Sequence, residues 1–150
     1  MRGLFSSVIL LLFAWPAFAW NWSDLWQTPD QQAQALMNEG QFAQAKDKFA
    51  AEDWQAAAAY KAGEYQQAAD GYKKMDSEQG YYNAGNALAQ LGHYEQALHS
   101  YNKALALNPN NQDAQHNHQL VSKLLKEQQN KEQQNKEQQN KEQQNKEQQN

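Results

Sequence analysis

The sequence predicts an all-α fold: about three antiparallel helix hairpins stacked as a short solenoid and closed by a C-terminal capping helix. Three observations predict it. The pattern G-x-[FY]-x-Q-A-x-x-x-[FY] occurs three times, at Gly40-Phe42-Gln44-Ala45-Phe49, Gly63-Tyr65-Gln67-Ala68-Tyr72 and Gly92-Tyr94-Gln96-Ala97-Tyr101. Around each copy the apolar residues recur at spacings of three and four, the mark of one helix face. Glycine and proline punctuate these runs where helices must turn or stop, Gly92 ending one helix and Asn108-Pro109 the next. A single helix pair cannot bury its apolar face, so three similar pairs in one chain are expected to stack.

Taken in order, the chain begins with Met1-Arg2, a dense apolar run over 4–15, Pro16 and Ala17-Phe18-Ala19. Basic start, apolar stretch, helix breaker and A-x-A site are the order of a secretory signal peptide. Residues 1–19 are therefore expected to act as a signal peptide cut after Ala19 or as a retained membrane anchor. In both cases the remainder is exported, to the periplasm or to the periplasmic face of the inner membrane. A tryptophan-rich segment, 20–28, follows. Trp26 is expected to pack on the first helix, while Trp20 and Trp22 suit either packing or a membrane interface.

Thr28-Pro29-Asp30-Gln31 reads as a helix start, with threonine as N-cap, proline at the first position and glutamine at the third. That helix should reach about Glu39 with Ala33, Leu36 and Met37 inward. Successive glycines of the repeated pattern, Gly40, Gly63 and Gly92, stand 23 and then 29 residues apart. Both are shorter than the ~34 of a regular repeat. Shortened first helices and tight joints near 51–53 and 76–77 account for this, and divide the array at 29–51, 52–77 and 78–111.

The last unit is the most regular. Tyr81, Ala84, Gly85, Leu88, Ala97, Tyr101, Ala104 and Pro109 stand where a tetratricopeptide (TPR) repeat has its signature residues, and 78–111 resembles one. Gly85 lies inside the first helix of that unit, where a missing side chain admits a second helix. The resemblance implies a right-handed solenoid and a groove lined by the first helix of each pair. In the regular repeat Tyr82, Asn83, Asn86, Ala89 and Gln90 would face that groove, where asparagine side chains can bond an extended peptide backbone. Asn83 and Asn86 bridging neighbouring helices is the competing reading. A chaperone-type carboxylate clamp is not expected, since no convincing basic pair faces the groove. Lys61 and Lys73 have no fixed direction.

A narrower likeness runs over 17–125. Trp22, Asp24, Leu25, Trp26, Thr28 and Asp30-Gln31-Gln32 lead into Gly40-Phe42-Ala45, then Asp53-Trp54, Tyr60 and Gly63-Tyr65, then Tyr82-Asn83, Gly85-Asn86 and Ala87-Leu88-Ala89. This string resembles the TPR proteins of bacterial aerotolerance (Bat) operons. The resemblance implies a non-enzymatic adaptor in a membrane-associated complex with von Willebrand factor A-domain partners. The von Willebrand A domain that precedes the membrane segment in many of these relatives is not in this sequence, so no metal-linked role carries over. A cell-envelope assembly or secretion adaptor that binds peptide segments is the alternative.

Beyond Pro109, Ala114, Leu120, Val121, Leu124 and Leu125 form an apolar stripe interrupted at Asn117. This is the expected capping helix, 112–125. From Lys126 the sequence is KEQQN five times over. Each of the first four glutamates precedes a lysine by four, the better orientation for a helical ion pair. Nothing apolar recurs on any face, so 126–150 should be disordered or a solvated prolongation of the helix.

Composition narrows the function classes. At 150 residues the chain holds one small domain plus tails, with a formal charge of −4. Slight acidity argues against nucleic acid. The absence of cysteine excludes disulfides, thiolate metal sites and cysteine nucleophiles within this chain. His93, His99, His116 and His118 are the only candidates for a metal or an acid–base pair, and their spacing reads as exposed polar positions. No cofactor is expected. Trp54, Tyr60, Tyr65, Tyr72, Tyr81, Tyr94 and Tyr101 are spaced as helix-packing residues.

Overall fold

The computed structural model describes residues 26–147. Among them are seven α-helices and no strand: α1 Pro29–Asn38, α2 Phe42–Lys48, α3 Glu52–Lys61, α4 Tyr65–Lys74, α5 Glu78–Gln90, α6 Tyr94–Leu107 and α7 Gln112–Glu147. The connections are short, so successive helices run antiparallel. Each packs on the next, and α7 touches both α6 and α5. The odd-numbered helices form one layer of the solenoid and α2, α4 and α6 the other. The expected membrane segment, Trp20 and Trp22 lie outside the described residues. No described helix is long and apolar enough to cross a membrane.

The three corners are built alike. Gly40, Gly63 and Gly92 have φ of 76°, 81° and 74°, a left-handed conformation open to glycine and costly for a residue with a Cβ. At each, the glycine N–H and the next N–H reach back to two carbonyls of the preceding helix. Gly92 donates to Ala89 O at 3.0 Å and His93 to Leu88 O at 3.0 Å. This Schellman arrangement satisfies carbonyls that a helix end would otherwise leave unpaired. At the opposite edge α1, α5 and α7 start on side-chain caps, while α3, after Ala51, has none. Thr28 and Gln31 exchange a capping box, Ser77 Oγ accepts from Gly80 N at 3.1 Å, and Asn111 Oδ1 accepts from Ala114 N at 2.8 Å.

The core is unusually rich in alanine. Ala56, Ala59, Ala68, Ala69, Ala84, Ala87 and Ala97 are buried around Tyr72, Leu88, Tyr101 and Val121, and the small side chains let the helices approach closely. Gly85 marks the tightest point: a Cβ there would stand 2.5 Å from Tyr101 Cε1. A second, smaller cluster of Ala33, Ala45, Phe49 and Ala58 is flanked by Leu36 and Met37, as the helix spacing predicts. The two clusters are bridged by polar ties. Lys46 Nζ reaches Glu64 at 2.5 Å and Gln67 at 3.1 Å, joining the first pair to the second. Asn111 Nδ2 bonds Glu78, holding the start of α7 to the start of α5.

Three expectations need correction. Trp26 does not pack on α1; it is 86% exposed. Trp54 stacks on Phe49 with centroids 5.6 Å apart, yet remains 48% exposed, a lid on the small cluster rather than part of it. Shortening is not confined to first helices: α1 and α2 have 10 and 7 residues, α3 and α4 have 10 each, and α5 and α6 have 13 and 14. Relative to α5 and α6, the second pair is about one turn shorter in each member, and the first about one turn shorter in α1 and two in α2. α7 runs on from the cap into the tail without interruption, 36 residues in all. Lys126 to Gln144 are all exposed, so this extension is held by its own backbone ladder and by i to i+4 pairs such as Gln128 to Glu132 at 3.2 Å.

Candidate functional site

Where α3, α5 and α7 meet, tyrosines and amides collect. Tyr60 comes from α3, Tyr82, Asn86 and Gln90 from α5, Tyr101 from α6 beneath, and Asn117 from α7. Their spacing explains the gathering: Gln79, Tyr82, Asn83, Asn86, Ala89 and Gln90 recur every three or four residues along one face of α5. Asn86 is the hub. Its Oδ1 accepts from the buried Tyr101 hydroxyl at 2.8 Å and from Asn117 Nδ2 at 2.9 Å, and Asn117 Nδ2 also lies 3.4 Å from the Tyr82 hydroxyl. Tyr82 and Tyr101 lie with ring centroids 6.3 Å apart.

Of the residues expected to face the groove, Tyr82, Asn83, Asn86 and Ala89 are half-buried and Gln90 is exposed. Asn83 Oδ1 accepts from Gln79 within α5 at 3.0 Å. Asn86 is the bridge between helices that the competing reading described, so its carbonyl is not an open acceptor. Sequence reasoning missed two members. Asn117, read as an interruption of the capping stripe, ties the cap to α5, and a lone amide at an inward position was the available signal. Tyr60, read as packing alone, lies beside the Gln90 amide at the mouth of the site.

Burial makes several of the phenols harder to ionise. Burial raises the Tyr101 hydroxyl far above its ordinary value, reinforced by Tyr82 and Tyr60 and opposed by the Asn117 amide. Burial likewise raises Tyr60, with Tyr65 and Tyr82 adding to it and Gln90 opposing. Tyr72 is raised by burial, then by Tyr60 and Asp53. The site therefore presents O–H groups, amide donors and amide acceptors, but no charge of its own.

The other candidates lie elsewhere. His93, His99 and His116 are exposed and His118 is half-buried; among the described residues no cluster of His, Asp or Glu is arranged to hold a metal ion. Lys61 is exposed at the end of α3, and Lys73 sits in the other layer on α4, 3.9 Å from Asp70. The repeat-packing residues vary in depth. Ala45, Phe49, Ala68, Tyr72, Gly85, Ala97, Tyr101 and Ala104 are buried, Phe42, Tyr65, Tyr81, Gly92 and Tyr94 are half-buried, and Gly40, Gly63 and Pro109 are exposed. Tyr81 is held at the rim, its hydroxyl donating to Asp76 at 2.5 Å and Lys103 Nζ lying 4.8 Å from its ring centroid. An open depression of about 440 Å³ between α3 and α4 is lined by Glu52, Asp70 and Lys74, separate from this site.

Comparison with known proteins places this geometry. Residues 79–111 match the tetratricopeptide repeat family model. The first TPR of Spaghetti (RPAP3), bound to HSP90 peptide SRMEEVD, is 18% identical, with a TM-score of 0.56 over 65% of this chain and 90% of that one. The first TPR domain of the human RPAP3 protein is also 18% identical, with a TM-score of 0.59 over 69% of this chain and 94% of that one. The fold is a TPR solenoid. No curated protein matches the sequence. The odd-numbered helices are the first members of each pair, so the tyrosine–amide site lies on the first-helix layer of the solenoid.

Proposed function

We propose that this protein is a non-enzymatic interaction module that holds an extended segment of a partner protein along the layer of α1, α3, α5 and α7. The observation that carries the reading is the run of half-buried amides and phenols on α5 and α3, on the groove side of a TPR solenoid. Such groups can pair with both donors and acceptors of a peptide backbone. One TPR domain of similar fold holds a peptide of another protein, which supports the same use here. Groove substitutions at exposed or half-buried positions, Gln90→Ala with Asn83→Ala, should weaken partner binding at least tenfold in titration calorimetry without lowering helicity. Unchanged affinity in that double variant would sink the groove assignment.

The finer proposal is that the module works in the bacterial cell envelope, in an aerotolerance-type complex with von Willebrand A-domain membrane proteins. Its support is the leader-like order of 1–19 and the motif string from Trp22 to Ala89. Co-purification from detergent-solubilised membranes tests it. Recovery of von Willebrand A-domain proteins is the expected outcome; recovery of secretion or peptidoglycan machinery alone favours the envelope-assembly alternative.

A further inference from the structure

We propose that the groove layer selects neutral or basic peptide segments and excludes acidic ones. The inference rests on the groove reading above and adds the chemical class of its occupant. Its basis is an uneven partition of charge between the two layers. The three odd helices of the repeat pairs, α1, α3 and α5, carry Asp30, Glu52, Asp53 and Glu78 against a single base, Lys61. Neither α1 nor α5 contains a lysine or arginine at all. The even helices α2, α4 and α6 have the opposite balance, with Lys46, Lys48, Lys73, Lys74 and Lys103 against Asp47, Asp70 and Glu95. The groove layer is thus net negative and the outer layer net positive.

The centre of the groove adds a second, independent reason. Tyr60, Tyr82, Asn86, Gln90 and Asn117 bear no formal charge, and Asn117 ties Tyr82 and Asn86 together. A carboxylate laid over these neutral side chains would give up its water and meet no cation. Lys61 stands one residue beyond Tyr60, but a lone exposed ammonium does not make the paired clamp that a carboxylate needs. On α7 before the KEQQN repeats, Lys123, His116 and His118 have basic character and Asp113 is acidic; Glu39, Glu64 and Asp76, at the joints between helices, are the other acids of the body. Three of the four first-turn acids are already engaged locally. Asp30 accepts from Ala50 N at 2.9 Å, Asp53 from Trp54 N at 2.9 Å and Glu78 from Asn111, so they contribute field rather than open contacts. An amide-lined floor inside a negative field suits a backbone whose side chains are neutral or basic.

The test uses the full chain, immobilised, and a displayed random dodecapeptide library. In parallel it uses the double variant Gln79→Lys/Asn83→Lys, which puts two cations on the groove face of α5. Peptides enriched on the unmodified chain should be depleted in Asp and Glu at least threefold relative to the library. On the lysine variant that depletion should disappear. A synthetic copy of the best peptide with two neutral residues changed to Glu should bind the unmodified chain at least tenfold more weakly by fluorescence anisotropy. Enrichment of acidic peptides on the unmodified chain, lost in Gln90→Ala, would overturn the charge inference while leaving the groove reading in place. Peptides that bind equally to the unmodified chain, the lysine variant and Gln90→Ala occupy another surface, and both readings then fail. If the double variant is not helical by circular dichroism, Gln90→Lys at an exposed position takes its place.

Discussion

The first and third helix pairs share one plan and differ in how much they bury. In the third, α5 and α6 close around Leu88 and Tyr101 with Gly85 against the ring, and α7 covers them. In the first, α1 and α2 total 17 residues and share with Ala58 of α3 a cluster of Ala33, Ala45 and Phe49, with half-buried Leu36 and Met37 at its edge. Corner geometry is the same in both, so the corner does not set stability. Buried volume does: a helix pair is only as firm as the apolar area its length lets it hide. The first pair should therefore open locally while the third remains closed.

The largest contrast comes from matching large residues. Tyr101→Ala and Phe49→Ala occupy equivalent positions in their repeats, and each empties a buried aromatic site. We expect Tyr101→Ala to cost ~4 kcal/mol and to lower protection across α3 to α7 in hydrogen exchange. Phe49→Ala should cost no more than ~3 kcal/mol, with the loss of protection confined to α1 and α2. Equal loss across all helices from Phe49→Ala would show that the array unfolds as one unit.

Glycine substitutions give the next contrast. Gly85→Ala drives a methyl into the Tyr101 ring and should cost ~2–3 kcal/mol by denaturant unfolding. Gly40→Ala has open space around its Cβ and is strained only by its positive φ, so ~1 kcal/mol is expected.

Alkali should separate the regions too. Residues 29–51 contain no tyrosine, while Tyr60, Tyr72 and Tyr101 in the later pairs have hydroxyls raised by burial above the ordinary 10.0. A hydroxyl that is harder to ionise folded than unfolded stabilises fully below the unfolded value and loses that contribution as pH rises. Stability should thus decline above pH ~10, with Tyr101 contributing up to ~1.4 kcal/mol per pH unit. Tyr101→Phe should flatten the decline, and a slope unchanged in that variant would rule this source out.

The smallest effect belongs to the tail. Residues 126–144 are exposed throughout, so a chain ending at Leu125 should unfold within ~0.5 kcal/mol of the full one while losing helical signal. A larger destabilisation would mean that the extension contributes to the cap.

Much of this was readable locally. Thr28 with Gln31, the corners at Gly40, Gly63 and Gly92, and the stop at Pro109 all act within a few residues of chain, and the structure places each helix end accordingly. The site was only half readable. The stripe on α5 follows from helical periodicity, but the periodicity of one helix does not say which of its residues a neighbour will claim. Asn86 is taken by Tyr101 and Asn117, 15 and 31 residues away. Trp26 and Trp54 looked like core and are exposed, because an aromatic residue is buried only where a surface is available to receive it. By itself the sequence determined helix type, corner chemistry and repeat number, all set by backbone preferences and short-range hydrogen bonds. Tertiary structure alone decided which polar groups are consumed inside and which remain for a partner, since that depends on side chains brought together from α3, α5, α6 and α7.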